Sequence, residues 1–137
     1  MNITHFSIDE FVASDTAARL KIWNDLPDDL EPHAWATLAM LEGVRAYLSK
    51  RAGRDVPVQI VSGYRCQALN NAVGGVPSSD HVKAMAADIR APAFGTPLEV
   101  ARELSGHVDD LNIGQLINEF PGPGGWVHVS IRKPDKL

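Results

Sequence analysis

Two histidines and an aspartate carry the most chemistry in this sequence. His81 and Asp88 stand seven residues apart, with the small-residue run Ala84-Met85-Ala86-Ala87 between them, and His128 follows 40 residues after Asp88. Zinc accepts two imidazoles and one carboxylate, and a three-ligand site leaves a fourth position for water, which catalysis needs. A loop closing back on itself between residues 81 and 88 would bring the first two side chains together. Spacing alone leaves a chance arrangement open. The same set can hold ferrous iron, but the usual oxygenase arrangement keeps histidine and carboxylate nearly adjacent, unlike the separation here. Cys66 is the sole cysteine. A Cys66, His81, Asp88 nucleophilic triad is conceivable, but a lone cysteine is more often a small buried residue.

These side chains must be held by regular structure. Trp126 to Ile131 reads as a strand, and in a strand alternate residues share a face. Val127, Val129 and Ile131 then face the core, with Trp126, His128 and Ser130 on the other side, where a histidine beside a tryptophan suits the wall of a cleft. Ile113 to Phe120 reads as the preceding strand, and Pro121-Gly122-Pro123-Gly124-Gly125 as the turn between them. Ala86 to Ala91 makes a third strand around Asp88, and the β-branched run Val56 to Val61 a fourth. Pro32 opens an amphipathic helix of about 18 residues by its apolar periodicity. Ser7-Ile8-Asp9-Glu10 fits a capping box, as does Thr96-Pro97-Leu98-Glu99, whose helix runs to Ser105 with Gly106 as its stop. Cys66 to Val73 makes a short helix ended by Gly74-Gly75, and the acidic stretch Asp25 to Glu31 a solvated loop. Helices gather in the first half and strands in the second, so the expected class is α+β: a small antiparallel sheet flanked by helices mostly from the N-terminal half.

Bulk properties narrow the field. A chain of 137 residues suits one compact domain, 1–137, with its core motifs in 58–131 and a helical part before them. A single cysteine excludes an intrachain disulfide and fits a reducing compartment. The net charge of -4 offers no basic stripe for nucleic acid. No apolar run approaches a membrane span. Met1 to Phe6 has neither the basic start nor the apolar run of a signal peptide, so none is expected.

Three segments, taken together, resemble one family. They are Ser62-Gly63-Tyr64-Arg65; then Ser79, His81, Ala86 and Asp88 in the pattern Ser-x-His-x-x-Gly-x-Ala-x-Asp; then Trp126-Val127-His128. They look like the zinc D-Ala-D-Ala carboxypeptidase and endolysin family of peptidases (M15), with Asn70, Gly74-Gly75-Val76-Pro77 and Gln115-Leu116-Ile117 also similar. The resemblance implies the fold shared with hedgehog signalling domains, a zinc ion on one face of the sheet, one per chain, and His81, Asp88 and His128 as its ligands. It implies Arg65 on the substrate carbonyl or carboxylate, where a guanidinium makes bidentate bonds. Ser79, Tyr64, Ser62 and Trp126 would support the ligands or line the substrate site. It also implies a glutamate base near the last histidine.

Two positions depart from that pattern. Ala84 stands where the family has glycine, and if the position needs positive φ, alanine is strained by about 1 kcal/mol or more. The glutamate often lies two or three residues before the last histidine, where this chain has Gly125 and Trp126. The base must then come from the preceding strand, and Glu119 is the candidate. A hairpin symmetric about Gly122-Pro123 would set Glu119 opposite Trp126 or Val127, diagonal to His128. Asp80 and Asp109 are the alternatives.

The expected function is thus hydrolysis of amide bonds in peptidoglycan stem peptides by a monomer, of carboxypeptidase or endopeptidase type. Without a leader, such an enzyme would reach the wall after release by another agent, as a phage-encoded lysis or tail protein does. The rival reading is a non-catalytic, zinc-containing wall-binding module, which would need neither Arg65 nor Glu119.

Overall fold

A computed structural model describes residues 2–119 and 124–134. Phe120, the last residue of the expected strand, and Pro121 to Pro123, in the expected turn, lie outside the described residues. Two short helices open the chain: α1 (Ile8–Val12), where the Ser7 hydroxyl accepts from the Glu10 amide, and α2 (Asp15–Leu20), capped the same way by Ser14. The sequence reading missed α2; its signal was Ser14 ahead of Asp15, a cap followed by a first-turn acid. The acidic stretch is not all loop, since Asp28–Leu30 forms a 3₁₀ turn leading into α3 (Glu31–Ala52). Pro32 sits in the first turn of α3, and Gly53, at φ 71, ends it. Leu38, Leu41 and Leu48 line its inner face and are fully buried, each adding about 1.5–3 kcal/mol relative to exposure.

Strand β1 (Gln59–Ser62) leads through a loop to α4 (Gln67–Ala72). After a second loop come β2 (Ala86–Arg90), α5 (Pro97–Ser105) with a complete Thr96–Glu99 capping box, β3 (Gln115–Asn118) and β4 (Val127–Ser130). The four strands form one antiparallel sheet in the order β1-β2-β4-β3. The α+β architecture is as expected from sequence.

The register explains the sheet's two chemistries. Ala87 pairs with Val129 and Ile89 with Val127, and this apolar face joins the α3 leucines, Val100 and Leu104 in the core. Asp88 pairs with His128, and Ile117 with His128 from the other side. Opposed residues share a face, so Asp88, His128 and Ile117 form one row on the second face. Ser62 joins that row because of an irregularity in β1: Ile60 pairs with Ile89 and Ser62 with Asp88, leaving Val61 as the extra residue. A bulge of this kind re-aims the side chains beyond it. Without it, Ser62 would fall on the core face.

All four β4 residues are buried: Val127 and Val129 in the core, His128 and Ser130 on the second face, where the loop before β2 reaches the end of the strand. Ser130 Oγ donates to Asp80 Oδ2 at 2.8 Å and the Ile131 amide to Met85 O at 2.9 Å. Among the described residues no helix is long and apolar enough to cross a membrane.

Candidate metal centre

The loop ahead of β2 delivers His81 to Asp88. Asp80 anchors it, accepting from Ser130 and, at 2.6 Å, from Arg132 Nε. Ser79 Oγ accepts the His81 amide at 3.2 Å, so its part is to shape the turn that carries the histidine. Ala84 lies at φ 59, the left-handed region in which a Cβ is costly. Thr37 of α3 donates to Ala84 O at 2.8 Å. The positive φ suspected from sequence is therefore real, and α3 helps to hold it.

His81, Asp88 and His128 converge, their candidate ligand atoms all lying within 4.8 Å of one another. His81 Nε2 is 3.2 Å and His128 Nδ1 3.0 Å from the same Asp88 oxygen, Oδ1. The edge of a tetrahedron with metal bonds of ~2.0–2.1 Å is ~3.3 Å, so these separations suit three ligands around one small ion. His81 Nδ1 donates to Gly63 O at 2.7 Å, an outer bond that fixes the ring and turns Nε2 toward the cluster. Both His81 nitrogens are thereby engaged, which leaves none for Cys66 and removes the thiol triad. All three residues are buried. Burial works against the charge of Asp88, but hydrogen bonds from His128 and His81 and their positive charge outweigh it and hold the carboxyl at about 2. An ionised carboxylate with two imidazoles is a donor set that fits a divalent cation.

Beside the cluster opens a cleft of about 630 Å³ whose walls include Ser62, Tyr64, Arg65, Ser79, Asp88, Glu119 and Trp126. Cys66, Asp80 and Asp109, the other candidates weighed from sequence, are not among the residues that line it. Arg65 Nη2 lies 3.8 Å from Asp88 Oδ2, and Nη1 donates to Asn70 Oδ1 at 3.1 Å. Its Nε is buried and has no partner among the described residues. Burial disfavours the guanidinium charge, while Asp88 and Glu119 support it. Gly75 makes room for this pair: a Cβ there would lie 2.1 Å from Asn70 Oδ1 and 2.9 Å from Arg65 Nη1. Glu119 Oε1 is 3.9 Å from His128 Nδ1. Since Asn118 pairs with Val127, the register carried one step further sets Glu119 opposite Trp126, as the hairpin argument expected.

A family model for Peptidase M15 matches residues 4–130. The chain belongs to the peptidase M15 family. No curated protein matches it closely enough to add a relative. Membership makes it a peptidase. The other three histidines lie elsewhere in this peptidase: His5 on Glu42, His33 on the Lys83 carbonyl, His107 against the Tyr47 ring. Sequence reasoning missed the Gly63 carbonyl and the Asp80–Arg132 clamp, because neither leaves a local pattern.

Proposed function

We propose that this M15 peptidase is a zinc enzyme that hydrolyses amide bonds in peptidoglycan stem peptides. The observation that carries the reading is the convergence of His81 Nε2, His128 Nδ1 and the Asp88 carboxylate at the edge of a cleft. His81, Asp88 and His128 would hold the ion, one per chain. Zinc held there supplies a Lewis acid and a bound water whose pKa is lowered toward ~7.

The chain's own residues account for the rest. Glu119 accepts a proton from the attacking water and returns one to the leaving amine. Arg65, on the cleft wall with Nη2 turned toward Asp88, receives the substrate carbonyl oxygen as it gains charge. Trp126, Tyr64 and Ser62 shape the walls against which the peptide lies, and Ser79 holds His81 through its backbone. A wall-binding module would need neither Glu119 nor Arg65; both line the cleft, which favours catalysis. A carboxypeptidase or an endopeptidase is consistent with this chemistry, and an enzyme of either type acts on the wall outside the cell.

Metal analysis together with a wall digest tests the reading. Purified protein is expected to hold close to one zinc per chain, and Asp88→Ala to lose most of it. A strong chelator should abolish release of peptides from purified peptidoglycan, with zinc restoring it. Full activity after verified removal of the metal overturns the proposal.

A further inference from the structure

Arg65 lies in a loop between β1 and α4, outside regular structure, yet its backbone is fixed from several sides. Its own amide donates to His81 O at 3.1 Å. The peptide groups flanking it are both held by one side chain, Asn24. Asn24 Nδ2 donates to Tyr64 O at 2.9 Å, and Asn24 Oδ1 accepts the Cys66 amide at 2.7 Å. The second Nδ2 hydrogen goes to Val12 O at 2.8 Å. Two carbonyls and one N–H around a single amide leave no freedom to exchange its oxygen and nitrogen. Asn24 is buried, although it sits in a loop next to Trp23, which is 86% exposed. A polar side chain drawn inward from such a loop has its hydrogen bonds as the reason for being there.

Val12 ends α1, and the residues after it, Ala13 to Thr16, form the lip of the cleft near Arg65. Asn24 therefore joins that lip to the arginine loop. We propose that Asn24 is a positioning residue of the peptidase: it sets where the Arg65 guanidinium meets the substrate, and it does so through the backbone on both sides of Arg65. The inference rests on the reading of Arg65 as the substrate-binding cation.

Asn24→Ser shortens the side chain and frees the loop. Asn24→Asp keeps shape and acceptor but loses both donors. Each is compared with wild type for zinc content, melting temperature, and turnover and half-saturation on solubilised peptidoglycan fragments. Displacing a catalytic group by about 1 Å costs on the order of 10²-fold, and a loss of that order in turnover is expected with zinc retained and half-saturation little changed. The deciding measurement repeats both substitutions in an Arg65→Ala background, where each should lower turnover less than about threefold, because residues acting through one another are not additive. The Arg65 Nε–H resonance gives a readout independent of activity: sharp and slow to exchange in wild type, broadened in both variants. Wild-type turnover in the folded variants, or an equal loss with and without Arg65, overturns the inference. Wild-type turnover in Arg65→Ala alone instead overturns the role assigned to Arg65. Should Asn24→Ser fail to fold, Asn24→Asp carries the same comparison.

Discussion

Glu119 Oε1 and His128 Nδ1 lie 3.9 Å apart, His128 on β4 and Glu119 just past the end of β3, two residues beyond the register partner of His128, Ile117. At that distance the carboxylate reaches the edge of the His-Asp-His group without entering it. Glu119 is 38% exposed at its side chain while His128 is buried, so the pair spans the boundary between the cluster and the open cleft. A base that must trade protons with water and with a leaving amine belongs at such a boundary.

Glu119→Gln keeps size and hydrogen bonding but removes the proton acceptor. Turnover on peptidoglycan fragments should fall by about 10²–10⁴-fold, the usual contribution of general-base assistance, with zinc content unchanged. Loss of zinc along with activity would make Glu119 part of the metal site. A fall of less than about fivefold with the metal in place would move the role to another group. Asp109 would then be the next to test, since both Asp80 oxygens are occupied by Ser130 and Arg132.

Arg65→Lys retains the charge and loses the planar fork. Zinc should remain bound while turnover falls. Gly75→Ala should imitate this while leaving the guanidinium itself in the chain, because its methyl would collide with Asn70 Oδ1 and with Arg65 Nη1 and push both aside. Equal activity of Arg65→Lys and wild type would mark the arginine as structural.

Ala84→Gly tests the strained loop. Relief of the left-handed conformation is worth about 1–2 kcal/mol, partly offset by loss of a buried methyl at about 0.8 kcal/mol. A net gain of about 0.2–1.2 kcal/mol follows, a rise in Tm of roughly 1–5 °C. A lower Tm would mean that the packing of the Ala84 methyl outweighs its strain.

Glu42 of α3 ties down the amino-terminal segment, accepting from the Thr4 and His5 amides and from His5 Nδ1. Burial raises its pKa, but those bonds and the His5 charge outweigh it and hold the carboxyl below its ordinary 4.5. A depressed folded value means that the stability is present above 4.5 and is lost as pH falls through the folded pKa. Glu42→Gln should cost about 1–3 kcal/mol at neutral pH, and its melting curve should approach that of wild type in acid. A gap between the two that is independent of pH would show that the charge is not what matters.

Much of the site was legible because strands impose alternation. The step from His128 to Glu119 followed from counting outward from Gly122-Pro123, and the observed pairing of Ile117 with His128 agrees with it. Ala84 was legible as a departure from a glycine pattern. The bulge at Val61 was not, because an extra valine in a β-branched run looks like more strand. Asn24 was not, because one asparagine in a loop carries no periodicity and its partners lie up to 42 residues away. The burial of His128 was hidden for a related reason: the loop that reaches the end of β4 is held there by Asp80 and Arg132, a contact across 52 residues.

Asp88 and His128 belong to β2 and β4, the two inner strands of the sheet, whereas Arg65 stands in a loop and Glu119 follows an edge strand. Amides of the inner pair can exchange with solvent only when the sheet as a whole opens; those around Arg65 and Glu119 need only a local opening. The protein should therefore fail in two stages on warming. Deuterium uptake should appear first along the edge strand at residues 115–119 and only then around 64–66, with catalysis fading while the metal stays bound. Uptake at 86–90 and 127–130, and with it the metal's release, should come only with global unfolding.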